Sequence, residues 1–139
     1  MGMTTIVFGA ADDEAAAAVL DLDGEPEGLS CSMTPYELWG LESSLTGVPA
    51  SELPSAAYEP IADVDDFEMF VIRASPELGG LLSAAGPDGR RQAAERWPVE
   101  CEHLATWTPD EVLATVEDLT RTLLEIRDAG RDPYLRFSM

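Results

Sequence analysis

Four consecutive residues gather most of what could support metal or thiol chemistry in this chain. Glu100-Cys101-Glu102-His103 holds the one histidine, one of the two cysteines and two carboxylates. Zinc prefers a tetrahedral shell of N and S ligands, usually closed by further Cys or His. Only Cys31 remains as another sulfur, so a metal at Glu100, Cys101, Glu102 and His103 would have to recruit carboxylates. A thiol enzyme would instead use Cys31 or Cys101 as nucleophile and His103 as base. Cys101 and His103 stand two apart, which in a strand puts both side chains on one face. Neither cysteine stands beside an arginine or opens a helix, the settings that depress a thiol pKa. The ordinary alternative is an irregular link before the last helix, with Cys101 packed as a small apolar group. The expectation is no catalytic centre, no cofactor and no metal, this cluster being the one alternative.

Carboxylates are too common to mark a site by their presence. With 27 Asp and Glu in 139 residues, chance neighbours such as Asp12, Asp13, Asp21, Asp23, Asp63, Asp65 and Asp66 are expected. Asp63-Val64-Asp65-Asp66 is rich in oxygen ligands, but the EF-hand order of acids, glycine and distal Glu is absent. A solvated acidic turn before a strand explains it more simply. Neither Gly79-Gly80 nor Gly86-Pro87-Asp88-Gly89 fits a phosphate-cradling motif, and the chain has no lysine to serve one. Trp39, Trp97 and Trp107 suit element ends, where a ring fills a core edge and keeps its N–H wet.

The charge is the unusual quantity. Eight bases against 27 acids give −19, and every base is arginine. The first base is Arg73: residues 1–72 hold 15 acids and none, while residues 73–139 hold 12 acids and eight arginines. Such a field opposes binding to nucleic acid or anionic lipid, which needs Lys or Arg to displace counterions. It favours encounter with a basic partner; solubility and coding bias account for the same number. Asp12, Asp13, Asp63, Asp65 and Asp66, with Trp39 as an aromatic anchor, are the residues of an interaction face on this reading.

These side chains must be held by local structure. Thr34-Pro35-Tyr36-Glu37 and Thr108-Pro109-Asp110-Glu111 carry capping-box chemistry with proline at the first helical position. Ser75-Pro76-Glu77 repeats the cap and proline. Val112, Val116, Leu119, Leu123 and Ile126 draw one apolar stripe over 109–129, closed by Gly130 and Pro133. Asp12–Leu22 reads as a helix with acids in its first turn. Leu78, Leu81 and Leu82 predict a short helix ended by Gly86-Pro87, and Asp88–Trp97 another, stopped by Pro98. Strands are expected near 4–8, 67–73 and 134–139, the second central because it is apolar on both faces. The last alternates, with Leu135, Phe137 and Met139 on one face, and reads as half-buried. The prolines and turn residues of 47–66 argue for an extended surface loop.

The order predicts an α+β fold, a small sheet with helices packed on one face, in one domain over 1–139. No apolar run approaches the ~20 residues that span a bilayer. No secretory h-region precedes the first strand, and Ile6 breaks the myristoylation pattern after Gly2. Cytoplasm is the default expectation.

Met1-Gly2-Met3 before a strand and an acidic helix, the stretch Trp39-Gly40-Leu41-Glu42-Ser43-Ser44-Leu45-Thr46-Gly47, and the order of elements over 67–139 resemble the YfbM-like bacterial family. The Asp-Lys-x-Trp and His segment usual in that family before Leu-Thr-Gly is missing. The resemblance implies an α+β fold and no established activity, so it carries no site residue over. The functional expectation is a non-enzymatic interaction domain, an inhibitor or immunity-type protein being one form, whose acidic N-terminal half meets a basic protein. The alternative is a small enzyme or metal-dependent protein using Cys101, His103 and nearby carboxylates.

Overall fold

A computed structural model describes residues 3–22, 24–66 and 68–139. Met1, Gly2, Asp23 and Phe67 lie outside the described residues, and with them the Met-Gly start, one acid of the first half and the expected first residue of the second strand.

The chain forms an α+β fold around one antiparallel sheet. Its strands are β1 (Thr4–Ala10), β2 (Leu29–Cys31), β3 (Ala62–Val64), β4 (Met69–Arg73) and β5 (Asp132–Ser138), in the order β2-β1-β5-β4-β3. The terminal strand is therefore the middle of the sheet. Val7 opposes Leu135 and Ile72 opposes Leu135 in the register, so these three share one face. Against it pack α2 (Pro35–Thr46), α3 (Leu78–Glu100) and α4 (Pro109–Asp128). Leu41, Leu82, Trp97, Leu104, Val116 and Leu119 are fully buried between the layers.

The second face is not bare, and this corrects the expectation that helices lie on one side only. Phe8, Val71 and Tyr134 meet Ala16, Val19 and Leu20 there, from α1 (Asp13–Ala17) and the 3₁₀ turn Ala18–Asp21 that continues it. Asp12 caps α1, accepting the Ala15 amide at 2.8 Å. The expectation of a half-buried β5 also fails: Tyr134, Leu135, Arg136 and Phe137 are all buried, while Met139 is exposed. Tyr134 and Arg136 look polar in sequence, yet their long apolar bodies bury readily.

Two edge strands escaped the sequence reading because each is three residues long. β2 runs beside β1 where Gly28 lies so close to the Val7 carbonyl that a side chain would collide with it. β3 lies within the stretch read as an extended loop, which also folds into 3₁₀ turns at Ala50–Glu52 and Pro54–Ala57. Pro49 and Pro54 open those turns, the role proline plays at a helix start. β4 has a strand on each side, as its two apolar faces require.

Helix ends follow their capping chemistry with two departures. Glu37 accepts the Thr34 amide at 3.1 Å, and the Thr108 hydroxyl accepts the Glu111 amide at 3.2 Å. Gly130 takes φ 73° after α4. Gly86 breaks α3 with φ 70° and ψ 177°, as the Gly-Pro pair predicts. However, α3 starts at Leu78, not at Ser75, whose hydroxyl turns to Glu77 at 3.5 Å. The helix also passes through Pro98 to Glu100. Proline there removes one amide donor, and the Cys101 amide still bonds the Trp97 carbonyl at 2.9 Å.

Candidate functional site

A broad concavity lies where β1 leaves the sheet, β5 enters it and β4 ends. Ala11–Glu14, Arg73–Ala74, Pro76, Tyr58 and Asp132–Tyr134 line a cleft of about 670 Å³. The sheet register builds it: Ala10 opposes Asp132 and Arg73 opposes Tyr134. Four carboxylates and one arginine line it. Arg73 Nε donates to Asp13 Oδ1 at 2.9 Å, while Nη2 donates to Oδ2, a two-pronged pair. The Tyr134 hydroxyl donates to the same Oδ1 at 2.8 Å.

These contacts set the electrostatics of the cleft. Arg73 first, then the Tyr134 hydroxyl, hold the Asp13 carboxyl below its ordinary range. Burial, then the bond to Asp13, pushes the Tyr134 phenol up to about 12. Tyrosine is thus a fixed donor at neutral pH, and Asp13 a fixed anion. Glu14 and Asp132 have no ion-pair partner among the described residues. With its one base already engaged by Asp13, the cleft presents a negative field to solvent.

The structure brings some of the sequence candidates together. Asp12 and Asp13 line the cleft. Asp63 is exposed on the edge strand β3, and Asp65 and Asp66 form the following turn with φ of 53° and 55°; none of the three lines the cleft. Trp39 is half-buried against the opposite layer, edge-on to Tyr36 with ring centroids 4.8 Å apart. Arg73, Tyr134, Glu14 and Asp132 were not singled out. One signal existed: Arg73 is the first base after 72 residues without one.

The Glu100-Cys101-Glu102-His103 stretch is split among separate partners. Glu100 ends α3, and the Cys101 sulfur lies 3.9 Å from the Glu37 carbonyl. His103 Nε2–H donates to the Ser32 carbonyl at 2.7 Å, with Trp107 beside it. Glu102 is exposed. Burial pushes both thiols up to about 11, aided by Asp118 at Cys31 and by Glu37 and Glu100 at Cys101. Among the described residues no group of three or more His, Cys, Asp and Glu is placed to hold a metal ion. No helix of the described residues is long and apolar enough to cross a membrane. No family model, curated protein or solved structure matches the chain.

Proposed function

We propose that the protein is a cytoplasmic, non-enzymatic interaction domain whose acidic cleft receives a basic segment of a partner protein. The observation that carries this reading is the charge of the cleft: Asp12, Asp13, Glu14 and Asp132 against Arg73 alone. Arginine pairs with carboxylate in the same two-pronged geometry that Arg73 and Asp13 already adopt. An incoming arginine or lysine would find Glu14 and Asp132 without ion-pair partners among the described residues. The excess of acids over the whole chain would speed its approach. An inhibitor of the immunity type, covering a basic protein, is one concrete form. The YfbM-like order of segments belongs to this proposal and assigns no residue within it.

The test uses an arginine-rich peptide and its uncharged citrulline counterpart, with association rates measured at low and high salt. The arginine peptide binds faster at low salt, and the Glu14→Gln, Asp132→Asn pair slows it. Asp63→Asn with Asp65→Asn, away from the cleft, slows it less. An association rate indifferent to ionic strength sinks the proposal.

A further inference from the structure

Between the sheet and the helical layer lies a second, much narrower space. Val7, Leu38, Trp39, Leu119 and Leu135 give it apolar walls, and Glu42 and Ser75 supply its polar side chains. Its volume is about 10 Å³, and a single water needs roughly 10–15 Å³ of such space together with polar partners. Glu42 is 3% exposed, and its Oε1 is buried with no hydrogen-bond partner among the described residues. A buried carboxyl oxygen is rarely left unpaired in a folded protein.

We propose that this cavity is a site for one water molecule bonded to Glu42 and Ser75, and that the Glu42 proton sets the position of residues 74–76. Those residues separate two spaces. Ala74 and Ser75 line the cavity, whereas Ala74 and Pro76 line the acidic cleft. The Ala74 amide holds the Pro133 carbonyl at 3.1 Å, so displacement of Ser75 is felt on the cleft side. The inference does not depend on what the cleft binds.

The charges around Glu42 support a proton-linked site. Burial raises its carboxyl above the ordinary 4.5, the Ser75 hydroxyl pulls it down, and Glu77 pushes it up. On α2 the other acid is Glu37, tied to Thr34. The Ala50–Glu52 turn packed on α2 brings only Glu52, which is exposed. At the start of α3 stands Glu77, which accepts the Ser75 hydroxyl at 3.5 Å. Farther along α3, Arg90 is engaged by Glu117 and by the Leu82 carbonyl. From β1, β5 and α4, the cavity walls are Val7, Leu135, Leu119 and Leu123, all apolar. No arginine or histidine lines the cavity to balance an ionised Glu42. The neutral acid can donate to the water. The carboxylate instead accepts from the water and competes more strongly with Glu77 for the Ser75 hydroxyl, which shifts the shared wall.

Magnetic relaxation dispersion of water reports a long-lived internal molecule, and carboxyl ¹³C NMR follows Glu42 directly. The expected result is a Glu42 midpoint above 4.5, with the Ala74 and Ser75 amides shifting at that same midpoint. In Glu42→Gln that transition disappears while the other carboxylates still titrate. Because the folded pKa is raised, the extra stability of the wild type over Glu42→Gln is full below about 4.5. It is lost as pH rises through the folded value. A midpoint at or below 4.5, amides of 74–75 that ignore it, or no long-lived water would each overturn the proposal. If Glu42→Gln does not fold, the wild-type titration and relaxation measurements decide it alone.

Discussion

The Tyr134 hydroxyl reaches Asp13 across 121 positions of sequence and joins the centre of the sheet to the first helix. Tyr134 is 2% exposed and its ring stacks on Phe8 at 5.9 Å, so its polar tip has one direction open to it. Arg73 approaches the same carboxylate from β4. Three elements distant in the chain thus converge on one oxygen. Tyr134→Phe keeps the ring and removes only the donor. The Asp13 carboxyl is held low by Arg73 and Tyr134, so its titration midpoint rises in the variant while remaining below the ordinary value. The depressed value contributes stability above the unfolded-state pKa, lost as pH falls through the folded one. The variant therefore loses less stability on acidification than the wild type. Carboxyl ¹³C titration of both proteins checks this; an unmoved Asp13 midpoint removes the hydroxyl from the account.

The two thiols give a sharper distinction between inert and reactive chemistry. Each rises from an ordinary 9.0 to about 11 through burial and neighbouring carboxylates. At mildly alkaline pH that lowers the thiolate fraction roughly 100-fold, and labelling follows the thiolate. Native protein should therefore react with a disulfide reagent at least ten-fold more slowly than free cysteine, roughly speaking, and both thiols should react fully in denaturant. Stopped-flow or manual labelling at constant pH measures this. A thiol in the native protein that reacts as fast as free cysteine would restore the thiol-enzyme reading.

The sequence made legible those elements that declare themselves locally. The Val112–Ile126 stripe, the Thr-Pro starts of α2 and α4, and the Gly86-Pro87 break all act within a turn or two of their own position. What it hid depends on partners far along the chain. β2 and β3 are too short for an alternating pattern to appear, and each exists because a neighbouring strand supplies its hydrogen bonds. β5 is central only because β1 and β4 enclose it, which alternation alone cannot report. The cleft was hidden for the same reason: Arg73 and Tyr134 meet through sheet register and Asp13 joins them from α1, so that among 27 acids nothing local tied Asp13 to either. The Glu100–His103 cluster shows the converse. Its residues are adjacent in sequence, but Cys101 and His103 bond to carbonyls of Glu37 and Ser32.

Gly40 on α2 shows how closely α3 approaches, and it permits a two-residue test of that packing. A methyl group at Gly40 would stand 2.5 Å from the Cys101 sulfur and 3.7 Å from the Trp97 ring. The first distance is a collision and the second is ordinary contact. Trp97 cannot give way easily, being fully buried with its indole N–H on the Glu37 carbonyl at 2.6 Å. Gly40→Ala alone should destabilise by about 1–3 kcal/mol, the usual cost of overpacking, despite the better helix propensity of alanine. Cys101→Ala removes the obstructing sulfur. In that background the collision is gone, and Gly40→Ala should become stabilising by about 0.5–1 kcal/mol as its helix propensity asserts itself. Urea midpoints of the four proteins at constant m-value complete the double-mutant cycle. Additive effects at the two positions would mean that helix α2 does not rest against Cys101.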